Sequence, residues 1–182
     1  MPFPLLLLRA MSDEFDQLLA ETGITIIPPA GFSPFPVREA CAFRYQRAYR
    51  HSRGAEVRFR IDSIQRLKSD MGGGRLPANF SESAFVSGLT NLCAGQAGKT
   101  RMRNDEETRE FFRVDWVRSA YFRPVDPQFA PDHDGAVLYY FHRQGVADVY
   151  LIGLFKQGSG DDGLMLGDEP PVQFPEFPAA AS

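Results

Sequence analysis

Three stretches of the chain carry apolar residues at helical spacing. Phe15, Leu18 and Leu19 recur three and four apart, behind Ser12 and ahead of Gly23, with Asp13, Glu14 and Asp16 at the start. That spacing predicts an amphipathic helix capped by Ser12, with its acids against the positive end of the helix dipole and glycine at its exit. Ser81 is placed to cap a second helix, with Phe85, Val86, Leu89, Leu92 and Cys93 on one side and Gly95 at the end. Asn104, with Glu107 three residues on, forms a capping box for a short third helix running to about Phe112.

Elsewhere the period is two. Cys41, Phe43, Tyr45 and Tyr49 alternate with polar residues, as do Val57, Phe59 and Ile61 with Arg58, Arg60 and Asp62, which predicts two antiparallel strands joined across Arg50–Ala55. One side of that hairpin is apolar and the other is expected to face water. Strands are also predicted over Val117–Val125, Ala136–His142 and Val146–Phe155, the last two joined by a turn at Arg143–Gly145. In those last two strands both alternating sets are apolar, so both faces must be covered. The expected fold class is therefore α+β: a central antiparallel β-sheet covered by helices, an α/β/α-like sandwich.

The length of 182 residues and the 43% hydrophobic content suit one domain. Residues 1–10 read as a non-native or disordered leader, because the apolar run Leu5–Leu8 is too short for a signal peptide and Met11 begins a second plausible start. Residues 11–156 are expected to form the single α+β domain. Residues 157–182, with five acids, no basic residue and many Pro and Gly, read as a disordered tail in which Val172, Phe174 and Phe177 are a candidate docking motif. With no stretch long enough to cross a bilayer, a soluble, cytoplasmic protein is expected, with no membrane partner.

The formal net charge of -3 argues against bulk attraction to nucleic acid, but it hides a local surplus of +6 between Arg38 and Lys68. Arg44, Arg58 and Arg60 are expected to share the solvent face of the basic hairpin and to form a binding surface for another macromolecule. Nucleic acid is the weaker choice of partner, since the neighbouring aromatics alternate inward rather than outward for stacking.

Motifs for catalysis are sparse. Cys93–Thr100 matches a phosphate-binding P-loop except that Cys93 stands at the first glycine, and it leaves a helix rather than a strand, so a helix end and polar loop is the reading kept. Asp132, His133 and Asp134 before Gly135 have too few oxygen ligands for a calcium loop and fit a surface turn. No metal site and no cofactor is expected. Cys41 and Cys93 occupy apolar positions, where a free cysteine acts as a small hydrophobe. His142, at the end of a buried-looking strand, is the one candidate acid/base centre, with Asp115, Cys93 or Tyr139 as partners within reach of a folded chain.

The order of helix, basic hairpin, helix, short helix and three-strand meander resembles the PsbP-like fold. The stretches that carry the likeness are Gly31–Val37 leading into Phe43–Tyr45, Glu56–Ile61, Val114–Val117 and Ala147–Phe155. The resemblance implies an accessory or adaptor protein that binds an unidentified protein partner, and it supplies no catalytic residue. A small enzyme centred on His142 and a self-associating protein, such as a homodimer, are the alternatives.

Overall fold

A computed structural model describes residues 14–38, 43–93, 96–98, 100–160 and 169–178. Nine strands are described: β1 Thr25–Ile26, β2 Phe32–Phe35, β3 Arg47–His51, β4 Glu56–Ser63, β5 Thr100–Arg103, β6 Trp116–Phe122, β7 Gly135–Arg143, β8 Ala147–Phe155 and β9 Val172–Gln173. Seven of them form one sheet in the order β2-β3-β4-β8-β7-β6-β5, antiparallel at every step. The other two, β1 and β9, pair with each other. Helices α1 (residues 14–22), α2 (Ile64–Asp70), α3 (Phe80–Cys93) and α4 (Glu106–Phe112) complete an α+β architecture in which helices pack on a large antiparallel sheet.

The doubly apolar strands are covered on both sides, as their pattern requires. All nine residues of β8 are buried. On one face Val149 and Leu151 join Val57, Phe59, Ile61, Val137 and Phe141 in a core closed by Phe15 and Leu18 of α1 and by Ile24, Val172 and Phe174 around the β1–β9 pair. On the other, Ile152 and Leu154 join Leu138 and Tyr140 beneath Phe85, Leu89, Leu92 and Cys93 of α3, with Phe43, Tyr45 and Phe129 contributed by connecting segments. Helix α3 lies close to the sheet at Gly88, where an added Cβ would come within 3.0 Å of the Tyr150 ring.

Several local expectations are corrected. Ser81 sits inside α3 rather than capping it, and Val86 is exposed on that helix. The cap of α4 is Asp105, whose Oδ1 accepts from the Thr108 amide at 2.9 Å, one residue beyond the capping-box position. Residues 43–46 are irregular, so the first hairpin strand is shorter than its alternation suggested, and Cys41 lies outside the described residues, as do residues 1–10. Residues 169–178, read as part of a disordered tail, instead pack on the domain. Val172 and Phe174 are core residues, and Arg143 donates to the carbonyls of Pro175 and Glu176 while its guanidinium lies over the Phe177 ring. The apolar residues proposed for docking thus dock on their own chain.

Candidate functional site

The register of the sheet sets polar residues in a row at one end of the α3-covered face. Asp62 of β4 stands opposite Asp148 of β8, Asp148 opposite His142 of β7, and His142 opposite Trp116 of β6. Directly opposed residues on neighbouring strands share a face and bring their side chains together. His142 Nδ1 lies 2.6 Å from Asp148 Oδ1, and Asp148 Oδ2 accepts a hydrogen bond from Ser81 Oγ at 2.8 Å. Asp148 is only 1% exposed, so these bonds hold a carboxylate away from water. A carboxylate accepts only, so a neutral imidazole in this contact donates through Nδ1–H and has its Nε2 lone pair left for another partner. The Trp116 indole stacks on the imidazole with centroids 4.9 Å apart, and on Tyr140 behind it at 5.4 Å.

His142, Ser81 and Trp116 line a cleft of about 680 Å³ that is also bounded by Lys68 at the end of α2, Arg75 in the α2–α3 connection and Gln144 in the β7–β8 turn. The buried end of the site has its own electrostatics. Burial, and then the Asp148 charge, push the Tyr140 phenol far above its ordinary value, so it remains protonated. Burial also raises the Asp62 carboxyl, against the pull of Arg60, and the Asp148 charge adds to the rise. A buried carboxylate oriented by a serine, an imidazole fixed by that carboxylate and an adjoining cleft together make an arrangement able to accept a proton from a bound molecule or water. A second cleft of about 680 Å³ at the opposite end of the sheet is lined by Arg123, Lys156 and several glycines, without an acid–base pair among its lining residues.

Of Asp115, Cys93 and Tyr139, the partners considered for His142, none takes the place that Asp148 fills; Cys93 Sγ donates to the Leu89 carbonyl within α3. Asp115 Oδ2 accepts from the Gln144 amide at 2.7 Å and so holds the β7–β8 turn, and Tyr139 packs against the opposite core. Asp148 is the partner the sequence reading missed. The signal was present in the hairpin: a turn over Gln144–Val146 sets His142 opposite Asp148. Ser81 was noticed but assigned to a cap.

The basic surface is also corrected. Arg44 is exposed in the irregular segment before β3. Arg58, however, is fully buried, paired with Glu56, bonded to the Phe129 carbonyl and held between the Tyr45 and Phe129 rings at 4.7 and 4.5 Å. Arg60 pairs with Asp62 at 2.9 Å and lies over Phe43 and Tyr150. The three do not form one solvent face, because loop aromatics cover the side of β4 that alternation marked as polar. Arg47, Arg50 and Arg66 in turn hold Asp16, Glu56 and Glu21, so acids from other elements answer much of the local positive charge.

His133 Nε2 lies 2.8 Å from the Gly54 carbonyl, and Asp134 accepts from the Gln157 amide, which ties the Asp132–Gly135 turn to its neighbours. Among the described residues no three His, Cys, Asp or Glu side chains converge as a metal site. No helix among them is long and apolar enough to cross a membrane. Residues 94, 95 and 99 of the P-loop-like stretch lie outside the described residues. Compared with protein-family models, curated proteins and solved structures, the chain matches none.

Proposed function

We propose that the protein is a small enzyme in which His142, oriented by Asp148, acts as the general base in the cleft beside Trp116. The observation that carries this reading is the 2.6 Å His142–Asp148 contact beside a cleft of about 680 Å³. Asp148 and Ser81 are positioning residues: they hold the imidazole in one tautomer and turn its other nitrogen away from the carboxylate. Because Ser81 Oγ donates to Asp148 rather than to His142, the attacking group is a water molecule or a group of the substrate itself.

Turnover of a panel of chromogenic carboxylic and phosphoric esters tests the proposal. His142→Gln is expected to lower any activity found by about 10²- to 10⁴-fold, and Asp148→Asn to lower it and alter its pH profile. Activity indifferent to both substitutions would overturn it.

The same commitment of Ser81 favours a second reading, a binding protein that turns nothing over, in keeping with the adaptor role that the PsbP-like likeness implies. Binding in the cleft with no turnover of any panel member would favour that reading. An interaction through Arg44, Arg58 and Arg60 as a single face has no geometric support, given the burial of Arg58.

A further inference from the structure

The cleft beside His142 has an uneven charge. Glu82 is the sole carboxylate among its described lining residues, and its Oε1 is 3.2 Å from Arg118 of β6, so its charge is already answered. Lys68 and Arg75 line the same cleft, both are exposed, and among the described residues neither has a carboxylate within ion-pair distance. This sets them apart from Arg47, Arg50, Arg58, Arg60 and Arg66, each of which holds an acid. Between the two cations the chain passes through Gly72 and Gly73, with φ of +79° and +80°, where an added Cβ would meet nothing within 4 Å. Both glycine amides donate to the end of α2, Gly72 to the Ser69 carbonyl and Gly73 to the Lys68 carbonyl, so the left-handed turn closes the helix and sends the chain on to Arg75 at the cleft. Trp116, Phe80, Leu76 and Pro77 supply an apolar lining.

We infer that the cleft takes a small organic oxyanion, its charged end on Lys68 and Arg75 and its apolar body against Trp116. An ammonium and a guanidinium converging on one ligand suit a phosphate monoester or a carboxylate, with the arginine fork able to grip two oxygens at once. The inference rests on the His142 cleft being the functional site, and it deepens that reading by giving the substrate its chemical class. It does not depend on proton transfer, since it concerns recognition by Lys68 and Arg75 rather than the chemistry of His142.

Trp116 is the only tryptophan in the chain, so its emission reports on this cleft alone. The full chain is titrated with phenyl phosphate, phenylacetate and, as an uncharged counterpart, benzyl alcohol, while tryptophan fluorescence is followed. Saturable changes are expected with one or both anions and none with benzyl alcohol at the same concentrations; whichever anion binds tighter identifies the oxyanion. Lys68→Ala and Arg75→Ala, at exposed positions that leave the melting temperature unchanged, are each expected to weaken binding about tenfold. His142→Gln is expected to retain binding within about threefold while losing turnover, so failure of recognition and failure of the proton-transfer role are read separately. A response equal for benzyl alcohol and the anions, an anion response untouched in the Lys68→Ala, Arg75→Ala double variant, or no saturable response to either anion overturns the inference.

Discussion

The two layers that enclose the sheet differ in how they are filled. The layer under α1 and the β1–β9 pair is built mainly from aliphatic and aromatic side chains such as Phe59, Phe141 and Phe174, and its buried polar residues Ser63 and Arg143 stand at strand ends, Arg143 on the carbonyls of Pro175 and Glu176. The layer under α3 buries a comparable apolar set, yet it also contains Glu56, Arg58 and Asp148. Strand β4 belongs to both: Val57, Phe59 and Ile61 enter the dry layer while Glu56, Arg58, Arg60 and Asp62 enter the other. An alternating strand thus reveals that its two sides differ, but not that the polar side is wet. Removing a charge from water costs several kcal/mol per ion, so such groups persist only where each is paired and hydrogen-bonded.

The largest effect that would break the contrast is expected in the dry layer. Phe59→Ala should cost about 4 kcal/mol in chemical denaturation, from lost transfer energy and the cavity left behind. One residue away, Arg58→Met should cost about 3 kcal/mol, because it leaves Glu56 Oε2 in the interior without its guanidinium and only Arg50 to answer the charge. Adding Glu56→Leu to Arg58→Met should recover most of that loss, whereas no second polar-to-apolar change should rescue Phe59→Ala. A double variant as unstable as the single one would show that the ion pair contributes more than mutual neutralisation.

The polar layer also contains two carboxylates with opposite pH behaviour. Burial alone would raise Glu56, but the charge and hydrogen bonds of Arg58, supported by Arg50, hold it below its ordinary value near 4.5. Its stabilising contribution is therefore complete above that value and is lost as pH falls through the depressed folded value. Asp62 is raised above 3.8, so its ionisation opposes the folded state as pH climbs through the interval between the ordinary and the raised value. Unfolding curves at pH 7 and pH 4 should show Glu56→Gln more damaging at the higher pH, and Asp62→Asn shifted in the opposite direction, toward relative stabilisation at pH 7. At the small end, Arg44→Ala should change stability by no more than about 0.5 kcal/mol, since Arg44 is exposed.

The same contrast shows how much the sequence disclosed. Strands β7 and β8 were legible because both alternating sets are apolar, and Gly145, with φ of +76°, marks their turn. The amphipathic pattern of α1 was legible for the same local reason, and its exit glycine has φ of +67°. What escaped depends on contacts distant along the chain. Phe129 covers Arg58 from more than seventy residues away, and Ser81 meets Asp148 across a separation of 67. Short strands such as β2, β5 and β9 carry too little periodicity to stand out and are defined by the neighbour they pair with. For the site, His142 was visible as a residue type in a buried strand; its partner required hairpin register, and Ser81 required knowing how α3 docks.

The pairing of β9 with β1 has a consequence for the order of assembly. Thr25 pairs with Gln173, so the layer containing Phe15 and Ile24 is closed by residues synthesised long after those it covers. Until Phe174 has emerged from the ribosome, that layer is covered by α1 without the β1–β9 pair, and part of the apolar side of the nascent sheet stays open to wrong partners. A fragment ending at residue 156 would keep every strand of the large sheet and still lack Val172 and Phe174. Late closure of this kind puts Val172 and Phe174, rather than the first 156 residues alone, in control of when this layer of the core is complete.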